Sequence, residues 1–169
     1  AFDWIVFTSG NAVDAFMQAL LEGGRDVRAL HGPKICTVGP GTADKVAHYG
    51  ITVDRIPDEF RAEGVVKAIA GAGAIDGLRV LFPRADIGRE VIADELRRAG
   101  AIVSDVVAYR TVIEDTRPER DSEIYGKLLQ GQIDVVTFTS ASAVRGFARI
   151  HGAEQAADLL KHTVVAVIG

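Results

Sequence analysis

The sequence predicts an α/β protein whose parallel sheets are doubly wound, with helices on both faces. Three observations point there. Apolar runs of strand length alternate with segments of helical periodicity. Glycines stand where those helices should stop. One strand-to-helix segment also occurs twice, so the alternation is present in two separate stretches. Strands and helices exchanging at short spacing build βαβ units, and these feed parallel strands.

Taken in order, Trp4–Thr8 (WIVFT) is a continuous apolar run with β-rich content. Val13, Phe16, Met17, Leu20 and Leu21 then fall at helical spacing, ending at Gly23-Gly24. Lys34–Val38 reads as a second strand, and Gly39-Pro40-Gly41 turns into a helix that stops at Gly50. Ile51–Ile56 is a third, weaker strand, and a helix over Glu63–Ala70 leads to the turn Gly71–Gly77. Leu78–Phe82 is a buried strand, Arg89–Ala99 a helix with Gly100 as its stop, and Ile102–Thr111 the fifth strand. The charged stretch Glu114–Asp121, with Pro118 inside it, has linker composition, and Arg110 and Arg117 read as its surface. Beyond it lie a helix at Glu123–Leu129, the strand Ile133–Thr139, a helix from Ser142, another over Glu154–Lys161, and the strand Val164–Ile168.

Five strands precede the linker, enough for a complete flavodoxin-like domain over residues 1–111. The linker covers 112–122. The two strands in 123–169 bury too little surface to stand alone, so this stretch is expected to be part of a second domain. The chain opens inside one apolar strand and closes directly after another, and is expected to be a fragment of a longer protein.

No apolar run approaches the roughly 20 residues needed to cross a bilayer. No signal peptide is visible, and the single cysteine, Cys36, allows no internal disulfide. A cytoplasmic location is the expectation. A net charge of −4 with scattered Lys and Arg argues against nucleic acid as a partner. The four histidines and Cys36 lack metal-ligand spacing, and there is neither G-x-G-x-x-G nor G-K-[ST]. No metal or organic cofactor is expected, and no membrane partner.

The repeat is close. Asp3–Val13 (DWIVFTSGNAV) is echoed by Asp134–Val144 (DVVTFTSASAV), Phe16 by Phe147, and Thr37-Val38-Gly39 by Val167-Ile168-Gly169 at a nearly constant offset. Each copy places F-T-S-x-[NS]-A-V where a strand ends and a helix begins. In the first copy Thr8, Ser9 and Asn11 stand at that junction; in the second, Thr139, Ser140 and Ser142. Orphan N–H groups and the helix dipole make such a junction receptive to carboxylate or phosphate. Plain helix capping explains one copy taken alone; two copies favour an anion site. Gly39, Gly41 and Thr42 make a further helix start where the backbone can approach a ligand. Arg84 follows a buried strand, at the sheet end where open α/β folds bind ligands, and is otherwise a solvated loop arginine. Tyr109 closes the fifth strand, where ordinary strand packing is its alternative reading.

The ordered set FTSGNAV, VGPGTA, LFPRADIGRE, VVAYRT and a second FTSASAV before AVIG resembles the uroporphyrinogen-III synthases over nearly the whole chain. The resemblance implies two α/β domains joined by a two-stranded connection, with the first domain here inserted in the sequence of the second. It implies a substrate, hydroxymethylbilane, that is a linear tetrapyrrole bearing carboxylate side chains. It also implies loss of the terminal hydroxyl as water, then closure through a spiro intermediate that inverts the last ring. Tyr109 matches a family tyrosine, and its phenol could assist the departing hydroxyl or position the substrate. No cofactor is implied; a monomer is the expectation, with possible fusion to, or handover from, other tetrapyrrole enzymes. The alternatives are a non-enzymatic two-lobed receptor for an anionic small molecule and a module fused to a tetrapyrrole methyltransferase.

Overall fold

The structure, a computed structural model, describes residues 1–87, 91–112 and 118–168, and for 118–122 the backbone alone. The chain divides into two compact units, Ala1–Thr111 and Val112–Gly169.

The first unit runs β1 (Trp4–Phe7), α1 (Gly10–Glu22), a short 3-10 turn at Val27–Leu30, β2 (Lys34–Thr37), α2 (Pro40–Ala47), α3 (Ala62–Ala70), β3 (Arg79–Ala85), α4 (Val91–Arg98) and β4 (Ile102–Tyr109). Its four strands are parallel and stand in the order β2-β1-β3-β4. Successive side chains of a strand point to opposite faces, and every residue of β1 is buried. Trp4 and Val6 pack with Val65 and Ile69 of α3 and Leu96 of α4, while Ile5 and Phe7 pack with Val13 and Met17 of α1 and Val46 of α2. Helices therefore cover both faces, which explains why the central strand reads as an unbroken apolar run. Each such side chain taken fully out of water contributes about 1.5–3 kcal/mol before entropy is counted.

The segment Ile51–Ile56 differs from expectation. It forms no strand and meets β2 at a single bridge, Cys36 with Arg55. The cause is Asp54. Its carboxylate accepts the Ile35 N–H at 2.8 Å, while the N–H groups of Asp54 and Arg55 both donate to the Ile35 carbonyl. A side chain thus takes a place that a strand ladder would give to backbone. The α1 helix stops as expected, with Gly24 at φ 70°, a region that costs a residue bearing Cβ.

The second unit holds α5 (Pro118–Leu129), β5 (Val135–Phe138), α6 (Ala141–His151), α7 (Ala153–Leu159) and β6 (Val164–Val167). Helix α5 begins upstream of Glu123, because proline in the first helical turn gives up an N–H that has no intrahelical acceptor anyway. Of the expected linker, residues 113–117 with Arg117 lie outside the described residues, as do 88–90 before α4; Arg110 is exposed.

The repeat is realised as two parallel strand pairs of like register, Trp4–Phe7 with Lys34–Thr37 and Val135–Phe138 with Val164–Val167. Lys34 N–H donates to the Asp3 carbonyl and Val38 N–H to that of Phe7. Val164 N–H donates to the Asp134 carbonyl and Ile168 N–H to that of Phe138.

Candidate functional site

In an open parallel sheet, ligands bind beyond the strands' carboxyl ends where the strand order reverses. In the first unit that point lies between β1 and β3, since β1 leads on to β2 on one side and has β3 on the other. A cavity of about 240 Å³ sits there. Thr8 and Ser9 reach it from the end of β1, Phe82, Arg84 and Ala85 from β3, and Tyr109 from β4; Ile87 and Ile92 complete an apolar wall.

Ser9 is the N-cap of α1, and its hydroxyl oxygen accepts the Ala12 N–H at 3.2 Å. The same oxygen lies 3.1 Å from the Tyr109 phenolic oxygen. The helix supplies no acceptor for the N–H groups of its first residues, so this corner carries fixed positive potential without a mobile cation.

Tyr109 reaches Ser9 because of an irregularity. The β3–β4 pairing runs in step up to Arg84 with Val107, then jumps to Ala85 with Tyr109. Strict alternation would put Tyr109 on the face of Val103, which packs with the α3–α4 cluster. The bulge at Ala108 turns it to the other face, where it packs with the α1–α2 cluster. The strand end is then held by two bonds: Asp86 N–H donates to the Tyr109 carbonyl at 3.0 Å, and Thr111 N–H to the Asp86 carboxylate at 2.9 Å.

Arg84 stays on the opposite face. Its Nε donates to Asp105 Oδ1 at 2.5 Å and an Nη1 proton to the Ala85 carbonyl at 2.9 Å. The two side chains are only 18% and 13% exposed, so this ion pair is shielded from solvent and fixes where the guanidinium sits. Arg84 is therefore a strand residue with a built partner and not a solvated loop arginine. Asp105 escaped the sequence reading, although one carboxylate in the run Ile102–Tyr109 (IVSDVVAY) is the signal that could have shown it.

Four expected residues, Thr8, Ser9, Arg84 and Tyr109, thus line one cavity. Asn11 lies in the first turn of α1, exposed. Gly39 is the N-cap of α2, with no side-chain cap, and Gly41 is exposed. Thr42 is buried and its N–H donates to the Gly39 carbonyl, so it belongs to the helix interior more than to its open end. In the second unit Ser140 caps α6, accepting the Ala143 N–H at 3.2 Å, and is bonded to Ser142 at 2.9 Å; Thr139 is exposed beside them.

The sequence model described as "Uroporphyrinogen-III synthase HemD" matches residues 1–169. The chain belongs to the uroporphyrinogen-III synthase family. A uroporphyrinogen-III synthase of Synechococcus elongatus is 36% identical over 161 residues, which are 93% of this chain and 58% of that protein. One of Chlorobaculum parvum is 26% identical over 172 residues, 99% of this chain and 66% of its own length. Among solved structures, wild-type uroporphyrinogen III synthase of Thermus thermophilus superposes with a TM-score of 0.57 at 18% identity, covering 99% of this chain and 64% of that one. At that identity the likeness concerns the fold. The chain spans less than two thirds of the length of these relatives.

Cys36 is buried in β2, and loss of hydration pushes its thiol up to about 12, far from a working nucleophile. No group of three or more His, Cys, Asp or Glu among the described residues could hold a metal ion. Nor is any described helix long and apolar enough to cross a membrane.

Proposed function

We propose that the protein carrying this chain closes hydroxymethylbilane to uroporphyrinogen III with inversion of the last ring. The observation that carries this reading is the switch-point cavity, in which a chain of this family brings Tyr109, Ser9, Thr8 and Arg84 together. At about 240 Å³ the cavity is smaller than a typical small-molecule pocket, so it fits one end of a tetrapyrrole and not the whole. The first turn of α1 would hold a ring carboxylate there, beside the Arg84–Asp105 pair, with Asn11 exposed on the same turn; an anion at a helix start gains about 0.3–1 kcal/mol, more when shielded. The α2 start at Gly39 and Gly41, beside the buried Thr42, is read as a further carboxylate site of the first unit, and the α6 start at Thr139, Ser140 and Ser142 as a separate one of the second unit.

In this reading Tyr109 gives its proton to the terminal hydroxyl as the carbon–oxygen bond breaks and water leaves. The substituted carbon of the final ring then attacks the electrophile so formed, and the spiro intermediate opens and recloses. Free bilane closes to the uninverted isomer, so the protein's main contribution is to hold the chain ends in the geometry that favours the other carbon. The first unit is read as a flavodoxin-like lobe over 1–111, with 112–122 a linker and 123–169 part of a second lobe. The substrate is soluble and anionic, and the setting is cytoplasmic. Fusion to, or handover from, other tetrapyrrole enzymes is one context for such a protein.

The test is a coupled assay on the full-length protein, with bilane supplied by its forming enzyme and isomers separated. Type III product is expected, and type I alone with and without protein would sink the reading. Tyr109→Phe should slow type III formation by ~10²-fold, the low end for a lost general acid, while product binding changes less. Unchanged turnover would take Tyr109 out of the chemistry.

A further inference from the structure

We propose that Ser9 is a positioning residue for Tyr109, donating its hydroxyl proton to the phenolic oxygen so that the phenol's own proton faces the cavity. The inference rests on the reading of Tyr109 as proton donor to the departing hydroxyl. A serine hydroxyl has one proton and two lone pairs. One lone pair of Ser9 accepts the Ala12 N–H at 3.2 Å. The positive end of α1 repels the hydroxyl proton and turns it away from the helix. Tyr109 Oη, 3.1 Å away, is the acceptor it meets.

The polarity matters for the reaction. If Tyr109 donated to Ser9, the phenol proton would point at the helix cap and away from the substrate. With Ser9 donating, the phenol O–H bond breaks toward the substrate oxygen, the carbon–oxygen bond breaks with its electron pair, and water departs. Charge gathers on Tyr109 Oη as this happens. Ser9 keeps its own proton, and its bond to the developing phenolate strengthens, since charge-assisted hydrogen bonds are roughly twice as strong as neutral ones. The field of α1 thereby reaches the reacting proton through a single side chain. The bulge at Ala108 is what aims the phenol at Ser9 and not at the opposite face.

The experiment compares Ser9→Gly, Ser9→Thr and the unsubstituted full-length protein. Glycine serves almost as well as serine at a helix start, so Ser9→Gly removes the hydroxyl with little disturbance of α1. Expected are a fall of roughly tenfold or more in kcat for type III product, KM within about twofold, and recovery in Ser9→Thr. A purely structural cap would lower thermal stability without separating kcat from KM. A second readout needs no turnover: the Raman doublet of tyrosine reports whether a phenol donates or accepts. The difference spectrum between Ser9→Gly and the parent should lose an accepting tyrosine. Parent-like kcat in Ser9→Gly, or a Raman signature of Tyr109 as donor to Ser9, overturns the inference. If the parent itself makes only type I isomer, the proposed function fails, and the Raman comparison still decides the direction of the bond.

Discussion

The two strand-to-helix junctions of the repeat agree in backbone and differ in company. Ser9 sits at φ −154° and ψ 155°, Ser140 at φ −158° and ψ 154°. Each hydroxyl accepts the N–H three residues on, and each strand's phenylalanine meets its helix's phenylalanine edge-on, Phe7 with Phe16 at 5.4 Å and Phe138 with Phe147 at 5.7 Å. Yet Ser9 is tied to Tyr109, distant in sequence, while Ser140 is tied to Ser142, two residues away. The strands differ too, with β1 buried throughout and Val135 of β5 54% exposed. Local sequence dictates the junction. What surrounds it decides whether the junction holds a helix in place or also serves a reacting group.

The strongest contrast should appear in the two phenylalanines. Phe7 is 2% exposed and enclosed by α1, α2 and the sheet, so Phe7→Ala should cost about 3–5 kcal/mol in denaturant unfolding. Phe138 is 8% exposed at the end of a strand whose other residues are open in this chain, and in this chain by itself Phe138→Ala should cost less than about 3 kcal/mol. Equal losses would mean that the second strand is as well enclosed as the first, and the contrast would collapse.

A smaller effect separates capping from chemistry. Alanine at either Ser9 or Ser140 should remove about 1 kcal/mol of stability, because each change strips one helix start of its acceptor. Only Ser9→Ala should also alter the tyrosine Raman doublet. A like change on Ser140→Ala would show that the signal tracks helix fraying and not a bond to Tyr109.

This division of labour marks how far the sequence could be read. The caps, the alternation of elements and the repeat were legible because each depends on residues within a few positions. The Thr8, Ser9 and Arg84 positions were legible because strand ends converge on the carboxyl edge of any parallel sheet. Three things were not. The Ile51–Ile56 segment reads as a strand, but the Asp54 carboxylate accepts the Ile35 N–H while the Asp54 and Arg55 N–H groups both donate to the Ile35 carbonyl. The Arg84–Asp105 pair depends on register between strands that no local pattern fixes. The facing of Tyr109 depends on a bulge; plain alternation along Ile102–Thr111 places the phenol on the wrong side of the sheet. One residue of slip reverses every side chain beyond it, and a strand end without a turn of known type offers nothing to anchor the count.

The smallest effect concerns a tie that only the first copy can make. Asp14 of α1 is ion-paired with Lys45 of α2 at 2.9 Å and accepts a hydrogen bond from the Tyr49 hydroxyl at 2.8 Å, joining the two helices that cover one face. Lys45 first, and Tyr49 second, hold the Asp14 carboxyl below its ordinary value of 3.8. A carboxyl lowered by folding stabilises the fold fully above its unfolded value, and that contribution is lost as pH falls through the folded one. The loss therefore belongs below about pH 3.8, in the acid limb of the stability profile. Asp14→Asn should flatten that limb slightly and leave neutral behaviour nearly unchanged, because side chains this exposed are screened by water and salt. Raising the ionic strength should shrink the difference further. The second copy has Arg145 at the matching position, where no such pair with a lysine can form. Arg145→Asn should leave the acid limb as it was. If both substitutions flatten it alike, the tie between α1 and α2 is not the source of that limb.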